Sequence, residues 1–392
     1  MKNVAFPKGF FAGGTACGIK KNGNPDLGLL RSVPPSTAFG AFTRNAAAAA
    51  PVIYCREVLA SGGKVSHVLV NSGNANAATG PKGYEDVLAT ASHLRGVMRV
   101  DGGLLICSTG VIGELLPMEA LKRGVNALSG GGSTSDFSTA IMTTDTFEKT
   151  AEVALELDGR EVRVGGAAKG AGMICPDMAT MLAYVTTDLG LDPGYQPRFL
   201  NAVERSFNSI TVDGDMSTND TVLLLANGAS GVRYAALTVA QQSVFDAALL
   251  EFMRQLAQAV VRDGEGATKF ITVAVAGAAS ESDAKAMARA VSNSPLVKTA
   301  FFGGDANWGR VLAAAGYSGA ALVMDKLSLE FCGVRVFENG TPLPRDEEDL
   351  ARRMKAGDVS VRLDLGLGGA GWTYWTCDLS YDYVKINGSY RS

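Results

Sequence analysis

Apolar residues along the chain mark out a mixture of strands and helices. Val65–Val70 and Leu104–Cys107 are strongly apolar and read as strands. Each gives way to small polar residues, NSGNANAATG at 71–80 and STGVIG at 108–113. Such segments either present backbone amides to a ligand or simply turn the chain. A third run, Met181 to Thr186, follows the glycine-rich stretch KGAGMICPDMAT at 169–180 and also reads as a strand. Val244, Ala248, Phe252, Leu256 and Val260 recur every four residues. That spacing predicts a long helix from about Leu237 to Asp263, with those five on its buried face. A strand at Phe270–Val275 and a helix at Ser280–Ser292 follow. Near the end, Val359-Arg-Leu-Asp-Leu and Trp372-Thr-Tyr-Trp-Thr alternate as half-buried strands do. The charged cluster Arg345–Arg353 reads as a solvated helix start. Strands seldom alternate strictly with helices. The predicted class is therefore α+β, a layered α/β sandwich of two sheets flanked by helices.

Composition narrows this picture. The 392 residues suffice for two or three domains or one large body, and 47% apolar against 19% charged residues allows a large core. The net charge is −3 with no basic stripe, so nucleic acid is not an expected partner. No apolar span approaches the length that crosses a membrane, and the N-terminus lacks a continuous apolar leader. A cytoplasmic location is expected. Cys17, Cys55, Cys107, Cys175, Cys332 and Cys377 form no C-x-x-C pair and are expected as reduced thiols, mostly buried. Only His67 and His93 are present. They supply poorly either a Ser-His-Asp triad or a histidine metal site, so neither metal nor cofactor is expected. His67, in KVSHVLV, reads as a packing residue.

One position offers nucleophilic chemistry without histidine. Thr180 stands between the glycine-rich segment and the apolar run. Cutting the Ala179–Thr180 bond would give it an α-amino group with a pKa of roughly 7.7–8.0, near working pH. One residue would then carry both a nucleophilic hydroxyl and the base that activates it. On spacing alone, the favoured reading of Thr180 is an ordinary β-former opening a strand.

The segments VNSGNANAATG, STGVIG, AIMTTDTFEK, KGAGMICPDMATML, STNDTVLLLANG, DGEGATKFITV, NSPLVKTAFFGGDANWGRVLAAAGYSG and YVKINGSYRS occur in this order. Together, from about Pro7 to Ser392, the chain resembles the ornithine acetyltransferase family, the bifunctional glutamate N-acetyltransferase/ornithine acetyltransferases of arginine biosynthesis. The resemblance implies acetyl transfer from N2-acetylornithine to glutamate, with acetyl-CoA a further donor in some members. It also implies self-cleavage of the N-terminal-nucleophile type into an α chain, 1–179, and a β chain, 180–392, two of each assembling together.

By the same resemblance, Thr180 is the nucleophile, exposed by cleavage after Ala179. Thr109 and Gly110 match the oxyanion-hole pair, a hydroxyl and a backbone N–H. Thr143, Lys169, Glu265, Asn387 and Ser392 match substrate contacts. Glu265 is assigned to the δ-ammonium of ornithine. Two departures stand out. Ala306 in GGDANWGR replaces a usual proline, and Ser392 replaces a frequent terminal threonine but keeps its hydroxyl. Asn307-Trp308-Gly309-Arg310 reads mainly as scaffold. Two rival readings follow from the same residues: an N-terminal-nucleophile aminopeptidase or amidase with water as acceptor, and an uncleaved metabolite-binding protein.

Overall fold

The computed structural model describes residues 3–133, 136–175 and 181–389. Two compact units emerge. The first holds the chain up to Asn208 and again from Asp215 to Val260. The second holds Ser209–Gly214 and, among the described residues, the chain from Val261 to Ser389.

In chain order, the first unit contributes β1 (Phe10–Thr15), β2 (Leu27–Phe42), β3 (Val65–Asn74), β4 (Gly103–Val111), β5 (Lys149–Leu157), β6 (Arg160–Lys169) and β7 (Leu182–Thr187). The two-residue β8 (Ile210–Thr211) belongs to the second unit, and β9 (Thr221–Ala226) to the first. The first sheet runs β4-β3-β2-β9-β7-β6-β5, with β1 also paired to β2. β3 and β4 are parallel, as are β7 and β9. The remaining pairs are antiparallel. Every residue of β7 and of β9 is buried. This is why LAYVTT and TVLLLA read as nearly unbroken apolar runs rather than alternating ones. The helices are α1 (Ala50–Ala60), α2 (Gly80–Val97), α3 (Met118–Ser129), α4 (Phe137–Ile141), α5 (Gln196–Glu204) and α6 (Val239–Arg262).

Two sequence expectations shift here. β3 and β4 do not stop at Val70 and Cys107. They run on to Asn74 and Val111, so Asn71–Asn74 and Ser108–Gly110 are strand residues. Their polar side chains replace the missing hydrophobic signal: Ser108 Oγ donates to Asn71 Oδ1 at 2.6 Å, and Asn71 Nδ2 to the Asn74 carbonyl at 2.8 Å. The buried face of α6 also differs. Phe252, Leu256 and Val260 are buried, but Val244 is 53% exposed, and Phe245 and Leu249 line the core instead.

The second unit adds β10 (Phe270–Ala278), β11 (Ser328–Phe331), β12 (Val334–Glu338), β13 (Thr341–Pro342), β14 (Asp358–Asp364) and β15 (Ala370–Cys377) in the order β13-β12-β11-β14-β10-β15-β8. Its helices are α7 (Glu281–Asn293), α8 (Pro295–Gly303), α9 (Trp308–Gly316), α10 (Glu347–Met354) and α11 (Tyr381–Ser389). Buried and exposed residues alternate along β14, as its sequence predicts. Ser280, Asn307 and Asp346 cap α7, α9 and α10 through side-chain oxygens that accept backbone N–H bonds. The Trp308 ring stacks on Phe337 at 5.6 Å, and Arg310 Nη1 donates to the Leu296 carbonyl at 2.8 Å. The NWGR motif is thus built into the second unit's core and helix packing. Two mixed sheets flanked by helices are the predicted class.

Candidate functional site

β6 ends at Lys169, whose side chain points into the first unit and is almost wholly buried. Its Nζ donates to Thr143 Oγ1 at 2.7 Å and to Thr109 Oγ1 at 3.2 Å. Three of the residues singled out by sequence therefore meet at one point, from positions 26 and 60 residues apart in the chain. Each threonine oxygen accepts from the ammonium, so each hydroxyl proton is left to donate elsewhere.

The surroundings hold Lys169 in place electrostatically. Asp145 Oδ1 accepts from Lys149 Nζ at 2.6 Å and from the Gly170 amide at 2.7 Å, while Oδ2 accepts from the Thr143 amide at 2.8 Å. The Asp145 and Lys149 side chains are both fully buried. Burial alone would raise the Asp145 carboxyl, but the Lys169 and Lys149 charges outweigh it and hold it down at about 2. Lys20 lies within the field of Lys169 and Asp145. Burial, with a contribution from the Lys169 charge, pulls its ammonium down to about 8. The loop carrying Lys20 wraps the buried Asp26 carboxylate, which accepts backbone N–H bonds from Cys17, Gly18, Ile19 and Lys20.

Gly110 follows Thr109 on β4, paired with Gly73 of β3. Its φ is +132°, and a Cβ there would lie 2.3 Å from the Gly73 carbonyl carbon. The glycine is required by the close approach of the two paired backbones. Asn219 fastens this strand end from the other side, its Nδ2 donating to the Ser108 carbonyl at 2.8 Å and the Ala75 carbonyl at 2.6 Å.

In the second unit, Asn387 on α11 donates from Nδ2 to Glu265 Oε2 at 2.9 Å. These two sequence-predicted residues are therefore direct neighbours. Ala179, Thr180 and Ser392 lie outside the described residues. Cys55, Cys107 and Cys377 are buried thiols, and His67 is buried with Nδ1 at 2.9 Å from Ser66 Oγ, in keeping with packing roles. Among the described residues, no group of three or more His, Cys, Asp or Glu side chains is placed to hold a metal ion, and no helix is long and apolar enough to cross a membrane.

Sequence reasoning passed over Lys20, Asp26, Asp145, Lys149 and Asn219. The signal for Asp145 was present, two residues after Thr143 in TTDT. Asn219 bonds to carbonyls more than a hundred residues away, while Lys20, Asp26 and Lys149 interact with near neighbours but gain their place beside Lys169 only in the fold.

A family model for the ArgJ family matches residues 11–392. Over 397 residues the chain is 43% identical to the arginine biosynthesis bifunctional protein ArgJ of Oceanobacillus iheyensis, spanning 100% of this chain and 97% of that protein. It is 46% identical over 391 residues to the protein of the same name from Geobacter sulfurreducens, 98% of this chain and 99% of the other. The solved structure of the arginine biosynthesis bifunctional protein argJ from Bacillus halodurans aligns with a TM-score of 0.52 at 39% identity, covering 54% of this chain and 100% of that one. With a family match over nearly its whole length and relatives above 40% identity end to end, this chain belongs to the ArgJ family.

Proposed function

We propose that the chain is an acyltransferase, a glutamate N-acetyltransferase that takes its acetyl group from N2-acetylornithine and works in arginine biosynthesis. Its relatives bear the name of a bifunctional arginine-biosynthesis protein. The observation that carries the reading is the convergence of Lys169 on Thr109 and Thr143. A buried ammonium between two hydroxyls, beside a strand-end glycine, suits an N-acetyl amino acid, with a carboxylate to pair and an acetyl carbonyl that develops an oxyanion.

In the precursor, the Thr180 hydroxyl attacks the Ala179 carbonyl. Water resolves the resulting ester, leaving an Ala179 carboxylate and a Thr180 amine. The products are an α chain, 1–179, and a β chain, 180–392, which assemble two of each. In the mature protein, the Thr180 oxygen attacks the acetyl carbonyl and its proton passes to the Thr180 amine. The Thr109 hydroxyl and the Gly110 N–H hold the oxyanion. The intermediate collapses, and the ammonium returns the proton to the departing ornithine amine. Glutamate's amine then attacks the acetyl-Thr180 ester by the same steps reversed, so the kinetics are ping-pong. Thr143, Lys169, Glu265, Asn387 and Ser392 bind the substrates, and if acetyl-CoA serves as a donor, as in some family members, it acylates the same hydroxyl.

The test combines N-terminal sequencing with steady-state transfer from acetylornithine and from acetyl-CoA to glutamate. Two fragments divided at residue 180 and glutamate-dependent transfer are expected, and Thr180→Ala should abolish both. Acetyl release to water with no dependence on glutamate would make the protein an amidase. A fully active single chain of 40.7 kDa would end the proposal.

A further inference from the structure

One buried acid of the first unit has no part in these steps. Asp220 is 1% exposed, and neither of its carboxyl oxygens has a hydrogen-bond partner among the described residues. Leaving a buried carboxyl unsatisfied costs stability, so the group calls for a reason to be there.

Its placement supplies one. β9 begins at Thr221, which pairs in parallel with Leu182 of β7. The Thr221 amide donates to the Met181 carbonyl at 3.1 Å. Asp220 therefore stands beside Met181, the residue covalently bonded to Thr180. The Thr43 amide holds the Asp220 carbonyl at 3.0 Å, and neighbouring Asn219 ties the same segment to Ser108, one residue before Thr109. Burial pushes the Asp220 carboxyl well above the usual carboxylate range. The Thr43 hydroxyl, the Met181 amide and the Lys169 charge oppose that push, although none makes a well-formed hydrogen bond to it. Lys169, at the end of β6, is the charged group that reaches Asp220. Asp145, Lys149 and Lys20 form the charged surroundings of that lysine and of its Asp145 partner.

We propose that Asp220 is a positioning residue for the freed amine of Thr180: its carboxyl accepts a hydrogen bond from that amine and aims the nitrogen lone pair at the Thr180 hydroxyl. This rests on the reading of Thr180 given above. An uncut chain offers only an amide N–H at residue 180, whereas a cut chain offers an amine with further N–H donors and a charge. The partner that Asp220 lacks is thus created by scission. During transfer the hydroxyl proton moves to the amine and back to the leaving group, and Asp220 keeps its own protonation throughout.

The test is Asp220→Asn, which keeps the shape and removes the charge. Scission should still occur. The thermal midpoint should stay close to that of the wild type, because Asn keeps the shape and still offers an acceptor oxygen to the amine. KM for acetylornithine should stay within about two-fold, while kcat falls about ten-fold or more. The acid limb of kcat against pH should move to lower pH, since a carboxylate no longer favours the protonated amine. Asp220→Glu should keep the limb near its wild-type position. Wild-type kcat with an unmoved limb would overturn the assignment. So would a lowered midpoint with an unmoved limb, which marks a merely structural role, or a folded variant that stays uncut. Failure of the underlying reading looks different: there the wild type itself is uncut yet active, or Thr180→Ala still transfers acetyl.

Discussion

The Glu265–Asn387 pair shows how much can rest on one carboxylate. Asn387 donates to Glu265 Oε2 and also to the Tyr383 carbonyl, so its amide is anchored twice. Glu265→Gln leaves an acceptor oxygen for Asn387 and removes only the charge. If Glu265 binds the δ-ammonium of ornithine, the lost charge-assisted hydrogen bond is worth about 1.5–3 kcal/mol. KM for acetylornithine should then rise about ten-fold or more, with a smaller rise for glutamate, which has no side-chain ammonium. Steady-state kinetics with each substrate varied in turn decide it, and equal rises for both would refute the role. Lys169, Thr109 and Thr143 were legible in the sequence through their motifs. Asp145 had a signal in TTDT that went unused, whereas Lys149 and Lys20 had none, because what makes them matter is a shared field around Lys169 that only the fold creates. Asp220 was hidden for a related reason: within STNDT it looks like any loop acid, and its isolation appears only when β9 lies beside β7.

At the level of elements, strand types were largely readable and their ends were not. Hydrophobic runs located β3 and β4, but both continue through Asn and Ser residues whose hydrogen bonds substitute for apolar packing. The α6 helix fails in a different way. Positions four apart advance by about 40° around a helix at each step, so a row of five sweeps well beyond one face. Phe245, Leu249, Phe252, Leu256 and Val260 keep closer to the 3.6-residue period, which carries Val244 out to solvent. The close pairing of β3 and β4 at Gly73 and Gly110 yields a direct prediction. Gly110→Ala would force a Cβ into the Gly73 backbone at a φ that L-residues rarely adopt. Denaturant unfolding should show a loss of at least about 1–3 kcal/mol, and acetyl transfer should fall about a hundred-fold through the displaced amide. Near-normal values of both would show that the two strands can part there without consequence.

Across the whole molecule, buried titratable groups set the response to acid. Burial, aided by the Arg31 and Arg95 charges, lowers the His67 imidazole to about 4. The unfolded chain, with an ordinary histidine near 6.5, binds that proton first. His67 therefore contributes stability above about pH 6.5 that is lost as pH falls through 4. Asp145, lowered to about 2, adds a second loss between its ordinary 3.8 and that value. Asp220 has the opposite sign: raised in the fold, it costs stability as pH climbs above 3.8. Chemical denaturation of wild type and His67→Gln isolates the first effect. The gap between them should shrink from pH 7 to pH 4, and a constant gap would refute it.

The order β2-β9-β7-β6 carries a last consequence for a chain divided at residue 180. Two inner strands would come from the later piece, each hydrogen-bonded on its outer side to a strand of the earlier piece. Neither fragment would own the whole of this first sheet. The halves would be interwoven rather than docked, so swapping them between molecules would demand tearing the sheet open, and exchange could run no faster than global unfolding.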